Sequence, residues 1–434
     1  MLQNALRWLL LAGAIHITLT LAIFLAGHFQ LLPNLFDQHG TGLTFAIDGA
    51  SYRDVASQLA TEWQTNGFAA WLSLKAPLHC RLYSLLFATL GRLLGHNILA
   101  AEPLNLLYYL GILSCVYLLG REVFNQRAAM LAAAIVALWP TFLFHSTQFI
   151  RDTFAISCLL ALLFVLVLVL RREFSWRAAA LAGASGAALV TLFWVLRGNM
   201  WNVVVVAIGI TILFQLWRMV RADTWLFPNA AVILLVLAAM LFVPSRLEST
   251  GLPGVRPPVT PLAIPSAAQP PVRQTTSPGV FSTLLKQIGQ RRAGFRTYSA
   301  QESNIDGDVR LNSAGDVLRF IPRATVIGFF APFPRMWFHA GSYGIAGRLL
   351  SGAETFVMYF LYAAAAVCVW RNRRRRELWL LFLVATTAMI ALGLVVVNAG
   401  ALYRLRYVFW ILFILMAAET LVHFTVLRTS ATKS

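Results

Sequence analysis

Residues 153–170 read TFAISCLLALLFVLVLVL, an unbroken run without a charge, held between Arg151-Asp152 and Arg171-Arg172. An α-helix rises 1.5 Å per residue, so about 20 apolar residues cross the roughly 30 Å hydrocarbon core of a bilayer. Charge at both ends and none between predicts a membrane span. The same pattern recurs along the chain at Trp8–Gly27, Ile98–Gly120, Ala128–Phe144, Ala178–Leu196, Trp201–Trp217, Trp225–Val243, Glu354–Trp370, Leu378–Val397 and Tyr407–Leu427. Two further runs, Pro77–Gly95 and Ala324–Ala340, are apolar but broken by charge or proline.

Composition agrees with this reading. The 434 residues are 59% hydrophobic and only 12% charged, with a mean hydropathy of +0.70. Soluble domains carry roughly 25% charged residues. The predicted fold class is an all-α polytopic membrane protein with about 10 transmembrane helices plus juxtamembrane or re-entrant helices. The net charge of +18 fits arginines that hold cytoplasmic loops in place, and phosphate-bearing lipids of the bilayer as partners, better than nucleic acid. The four cysteines, Cys80, Cys115, Cys158 and Cys368, lie in or beside apolar segments without metal-type spacing, and predict neither disulfide nor zinc site. The first run is longer than a signal-peptide core and lacks a small-x-small cleavage site, so it is read as a retained first span.

The short loops give orientation. Arg121/Arg127, Arg171/Arg172/Arg177, Arg218/Arg221 and the Arg371–Arg376 run are basic and fall on one side when the spans alternate. By the positive-inside bias that side is the cytoplasm. The opposite side receives Thr44–Tyr83, His145–Asp152, Arg197–Met200, Pro244–Pro322 and Asn398–Arg406. Alternation also requires that Pro77–Gly95 and Ala324–Ala340 do not fully cross. The expected organisation is an N-terminal transmembrane module over 1–243 with a first outer loop at 28–97, a Pro-rich outer loop over 244–322, and a C-terminal module over 323–434. Within the long loop, Val255–Pro278 reads as extended linker and Val280–Gln290 as a short amphipathic helix.

Candidate chemistry gathers on the outer side. Asp48 and Asp54, with Tyr52 between, are read against a helix Tyr52–Trp63. Asp48 is the candidate general base, while Asp54 reads as either a second carboxylate or a first-turn acid favoured by the helix dipole. Lys75, His79 and Arg81 around Pro77 form either an interfacial anchor or a seat for a phosphate. A phosphate about 4 Å from one cation at an effective dielectric of ~20 gains on the order of 4 kcal/mol before desolvation. Arg151-Asp152 either neutralise one another at the boundary or line a polar pocket with His145 and Gln148, to which Arg197 adds a cation. In Asn398–Phe409, NAGALYRLRYVF, outward Arg404 and Arg406 flanked by Tyr403 and Tyr407 oppose the inside bias. They read as an aromatic-belt anchor or as forked phosphate capture. No P-loop, dinucleotide fingerprint, H-E-x-x-H or nucleophile elbow occurs, and intramembrane acids are few: Glu102, Glu354 and Glu419.

The order of these pieces resembles a known family. D-x-x-x-Y-x-x-x-A (Asp48, Tyr52, Ala56) follows a first span, and K-x-P-L (Lys75–Leu78), LGRLLGHN, LNLLYYLGILSCVYLLGREVF and LAAAIVALWPTFLFHSTQFIRD come after it. The pattern covers about the first 200 residues. It is similar to the start of the GT-C superfamily of membrane glycosyltransferases, in particular protein O-mannosyltransferase-like members and the transferase that adds aminoarabinose to lipid A. The resemblance implies a polyprenyl-phosphate sugar donor, a glycan, lipid or protein acceptor, and inverting transfer at the outer face of a bacterial-type plasma membrane. It places the catalytic acid on Asp48, with Asp152 or Asp54 as the second carboxylate, and lipid-phosphate binding on Lys75, Arg151, Arg404 and Arg406. His79, Arg81, Arg197 and Tyr403 complete the candidate binding set. Gly49 follows Asp48 where many members carry a second acid, so no cofactor is assigned and a divalent metal has no support. A polysaccharide polymerase or ligase, and a non-enzymatic lipid-linked-sugar transporter or assembly subunit, are the alternatives.

Overall fold

The structure is a computed structural model, and it describes residues 2–31, 41–43, 47–222, 226–250, 280–297, 303–338 and 344–431. The expected linker Val255–Pro278 lies outside them. The described residues are helical throughout, apart from a single β-bridge between Asn304 and Asn398. The helices are α1 (Leu2–His28), α2 (Ile47–Ser73), α3 (Leu78–Leu94), α4 (Ile98–Val123), α5 (Gln126–Ala137), α6 (Pro140–Ser146), α7 (Asp152–Arg171) and α8 (Trp176–Arg197). They continue with α9 (Trp201–Ala222), α10 (Phe227–Thr250), α11 (Val280–Thr297), α12 (Ala314–Phe330), α13 (Gly344–Arg371), α14 (Arg376–Val395), α15 (Ala399–Leu405) and α16 (Tyr407–Ala431). The chain is therefore an all-α polytopic membrane protein.

Among the described residues eight segments are long and apolar enough to cross a membrane, and a bent pair, α5 with α6, makes up to nine. One of the eight, Trp176–Arg221, is 46 residues long. A straight helix of that length would span about 69 Å, more than twice the hydrocarbon core. Instead it folds back. Its middle, Arg197, pairs with Asp152 at the start of α7, whereas Arg218 near its end donates to Leu170 O and Glu173 at the other end of α7. The turn is Gly198–Met200, entered through a non-helical Arg197 (φ −142°, ψ 46°). Counting that segment as two crossings restores the ten expected from sequence. Neither α3 nor α12, the two partly charged runs, is among the crossing segments.

The basic loops meet at one pole. Arg172 pairs with Glu122 at 2.5 Å, Arg171 lies between Glu122 and Glu377, Arg375 donates to Val123 O, and Arg376 stacks on Trp217. Asp48, Asp152, Arg197 and Arg404 meet at the opposite pole. Helix α7 therefore begins at one pole and ends at the other.

Three local readings are corrected. Ala128–Phe144 is not one straight span: α5 and α6 meet at 68°, because Pro140 lacks an N–H and holds Trp139 extended (φ −70°, ψ 111°). The first-loop helix starts at Ile47, not at Tyr52, and runs to Ser73 with a break at Gly67 (φ 86°). Asp48 thus occupies the first turn that sequence assigned to Asp54. The short helix expected at Val280–Gln290 extends to Thr297.

α12 crosses α14 with backbone touching backbone. A Cβ on Gly328 would strike Met389 O, and one on Gly393 would strike Ala324 O. Small residues let membrane helices approach this closely. Gly393→Ala is expected to cost about 1–3 kcal/mol through overpacking, read as a lower thermal midpoint of the purified protein. An unchanged midpoint would show that the helices can separate at no cost.

Candidate functional site

The pole opposite the basic loops brings together residues separated by more than 350 positions. Asp48 sits in the first turn of α2 and Asp152 in the first turn of α7, where the helix dipole favours a carboxylate. Arg197 closes α8. Arg404 lies on α15, whose start is fixed by the Asn398 side chain accepting from Ala401 N at 2.9 Å. Arg404 Nη2 donates to Asp48 Oδ2 at 2.7 Å. Its Nε lies 2.9 Å from Asp152 Oδ2, an ion pair whose angle is too poor for a hydrogen bond. The other Asp152 oxygen pairs with Arg197. One guanidinium therefore bridges two carboxylates, and one of those carboxylates grips a second guanidinium.

The two acids differ in exposure. The Asp152 side chain is 6% exposed and the Asp48 side chain 49%. Asp152 is a buried countercharge, whereas Asp48 faces the open side. Arg151, half-buried beside them, has no ion-pair partner among the described residues. It lies close enough to Arg197 and His79 to act on both electrostatically. His79 is buried with its ring edge-on to Tyr52, centroids 4.4 Å apart. Burial, reinforced by Arg151 and Arg197, lowers its pKa from 6.5 to about 3. His79 is thus neutral at physiological pH and offers hydrogen bonds, not charge.

A small, partly open crevice of about 20 Å³ adjoins the cluster. Asp152, Arg197 and Arg404 form its polar end, and Ile156, Leu159, Phe193, Leu405 and Val408 form an apolar wall between α7, α8 and α16.

The remaining sequence candidates lie apart from this cluster. Asp54 is exposed and pairs with its neighbour Arg53 at 2.7 Å. Lys75 is exposed on the turn between α2 and α3. Arg81 is buried and donates to the carbonyls of Trp71, Leu72 and Leu74, closing the end of α2. Arg406 is fully buried, donates to Gly328 O at 3.1 Å and stacks on Trp410 at 4.2 Å. Tyr403 donates to Glu354. Of the eleven residues singled out, Asp48, Asp152, Arg151, Arg197, Arg404 and His79 are brought together.

Sequence reasoning passed over the clamp beneath the site. Glu354 on α13 accepts from Thr141 N at 2.7 Å, from Thr141 Oγ1 at 2.5 Å and from Tyr403. It ties α6, which leads to Arg151-Asp152, to α15, which carries Arg404. The available signal was an acid inside an apolar run, and it named no partner.

No protein-family model matches the chain, and no curated protein matches it either. Among solved structures it is similar to the oligosaccharyltransferase of Archaeoglobus fulgidus in the apo form, at 11% identity and a TM-score of 0.40. It is also similar to the archaeal oligosaccharyltransferase AglB of that organism in complex with an inhibitory peptide and a dolichol-phosphate, at 14% identity and a TM-score of 0.41. Each comparison covers 94% of this chain and 50% of the other. The chain thus spans about half the length of the structures it matches.

Two measurements separate the roles. Asp152→Ala strands Arg197 in a buried setting and should cost about 3–5 kcal/mol, whereas Asp48→Asn should cost under about 1 kcal/mol because that pair is half-exposed. Equal losses in thermal stability would erase the distinction. For His79 the unfolded chain binds the extra proton between pH 6.5 and about 3, so its contribution to stability is lost as pH falls through that window. His79→Gln should flatten that slope, and an unaltered slope places the titration elsewhere.

Proposed function

We propose that the chain is a GT-C-like glycosyltransferase. It moves a sugar from a polyprenyl-phosphate or -diphosphate carrier to an envelope glycan, lipid or protein at the outer face of the plasma membrane. The observation that carries this reading is the sharing of Arg404 between Asp48 and Asp152 at the mouth of an apolar-walled crevice. A carbohydrate donor on a lipid phosphate needs an apolar wall for the chain, cations for the phosphate and a base for the acceptor hydroxyl, and all three adjoin here.

The roles follow from exposure. Asp48 takes the proton from the acceptor hydroxyl, since it is the accessible carboxylate. Arg151, Arg197 and Arg404 stabilise the negative charge that develops on the leaving phosphate. Asp152, buried and doubly paired, holds Arg197 and Arg404 at fixed orientation. His79 supplies a neutral donor or acceptor beside Arg151. The opposite, arginine-rich pole supports the assignment of the site to the outer side.

A divalent cation does not fit this arrangement. The gap between the two carboxylates, where an ion would be held, is bridged by the Arg404 guanidinium. Among the described residues no group of three or more His, Cys, Asp or Glu side chains could hold a metal. No step is therefore routed through one.

The test uses purified full-length protein with a panel of radiolabelled polyprenyl-phosphate and polyprenyl-diphosphate sugars, followed by a search for labelled acceptor. One added residue per acceptor marks a glycosyltransferase, and a ladder marks a polymerase. Asp48→Asn should lower transfer by at least about 100-fold with unchanged membrane insertion. Turnover at the wild-type rate in that variant would remove the base assignment, and no label from any donor would remove the function.

A further inference from the structure

Arg406 is a fully buried cation between α15 and α16 that meets no carboxylate among the described residues. Its Nη1 donates to Gly328 O at 3.1 Å, but Nε and Nη2 find no acceptor. Two neighbours are in the same condition. The guanidinium stacks on the Trp410 ring at 4.2 Å, and the Trp410 Nε1, itself buried, has no partner. The Tyr362 hydroxyl on α13 is buried without a partner, and both Arg406 and Trp410 lie close enough to act on it.

These groups cannot satisfy one another. Guanidinium and indole N–H groups only donate, so the Tyr362 oxygen is the single acceptor that the three side chains possess. A buried N–H without a partner is costly, and a buried cation without a counterion is more so. Gly328 lies in the last turn of α12, whose carbonyl end supplies on the order of half a negative charge. That balances the guanidinium only in part.

We propose that Arg406, Trp410 and Tyr362 form an internal binding site for one small monovalent anion, a halide such as chloride, held between α12, α13 and α16. The site is separate from the Asp48–Arg404 cluster and stands whether or not the chain transfers a sugar.

The donor set selects the ion. A water molecule would bring two hydrogens of its own into a group that already has too many donors, and would leave the charge as it is. A halide donates nothing and accepts from every side. A phosphate monoester or sulfate would exceed the charge of one guanidinium. A phosphodiester has the right charge, but its two ester arms have no place beside Arg406 and Trp410, which are 0% and 1% exposed. Tyr359, half-buried and bonded to Phe330 O at 2.7 Å, lies close enough to Arg406 to act on it, so the cluster sits near the bundle surface between α12 and α13. Arg406 also stacks on Tyr403 at 5.1 Å. A bound halide therefore secures α16 against its neighbours directly behind Arg404.

The deciding experiment measures halide on full-length protein in phosphatidylcholine nanodiscs. Binding of radiolabelled chloride is followed to equilibrium at constant ionic strength, with gluconate as the replacing anion because it is too large for a sealed site. One label per chain, displaced by bromide, is expected. The thermal midpoint should rise with chloride and level off after the site is occupied, as binding to the folded state alone requires. Trp410→Phe and Tyr362→Phe each remove one donor and keep the ring, and each should weaken chloride about tenfold. Either variant carries the comparison if the other fails to fold. No bound label in the wild type, the result if water fills the cluster, overturns the proposal. Label bound with the same affinity in wild type and variant overturns it as well, because the ion then sits elsewhere.

Discussion

Arg404 is the joint on which the pole opposite the basic loops depends. Its guanidinium is fixed on one edge by Asp48 and on another by Asp152, and Asp152 in turn holds Arg197. Those contacts tie the starts of α2 and α7 to the end of α8 and to α15. Among the described residues no other ion pair or hydrogen bond joins positions so far apart in the chain. A guanidinium suits the task because its planar fork presents several donors at once, where an ammonium would offer a point charge to one partner at a time. The arrangement is costly to desolvate and is tolerable because it sits at the end of the bundle, where only Asp152 and Arg197 are buried.

The joint needs a firm base, and the bundle's intramembrane polar groups provide it. Helix α6 is a short piece set across the line of α5, and it leads directly to Arg151-Asp152. Glu354 grips its beginning through Thr141. At its end Ser146 meets His16 Nε2 at 3.0 Å, and His16 Nδ1 lies 2.7 Å from Glu102 Oε1. The same Glu354 accepts from Tyr403, the residue before Arg404. Buried acids inside a membrane protein commonly mark ion or proton pathways. Glu354 and Glu102 are instead spent on hydrogen bonds that set a broken helix and its neighbours in register.

Much of the fold was legible because the physics that produces it is one-dimensional. Apolar length sets the crossings, and their alternation groups the short arginine-rich loops on one side, so the residues that gather at each pole were grouped together before any contact was known. The bend at Pro140 was hidden by a hydropathy that averages across Ala128–Phe144. The start of α2 was misplaced because Gly49 reads as a break in a helix, whereas it lies inside the first turn of α2. Asp48, Asp152 and Arg197 were recognised as outward charges, but the pairing of Asp48 with Arg404 joins positions 356 apart. Nothing in local spacing encodes such a contact.

The two mixed clusters show where sequence reading of charge reaches its limit, and why. His79 with Arg81 and Arg404 with Arg406 each looked like one basic ledge. Side chains two apart on a helix point about 200° from one another, so such a pair cannot serve a single site from within a regular helix. The structure separates both. His79 turns to Arg151 and Arg197, while Arg81 turns back to three carbonyls at the end of α2. Arg404 reaches both acids, while Arg406 is sealed against Tyr403 and Trp410 with a single carbonyl partner. In each pair one member serves the outer cluster and the other secures the backbone beneath it. A count of arginines in these stretches of sequence therefore overstates how many of them gather at the cluster, because in each pair one cation is spent on backbone carbonyls.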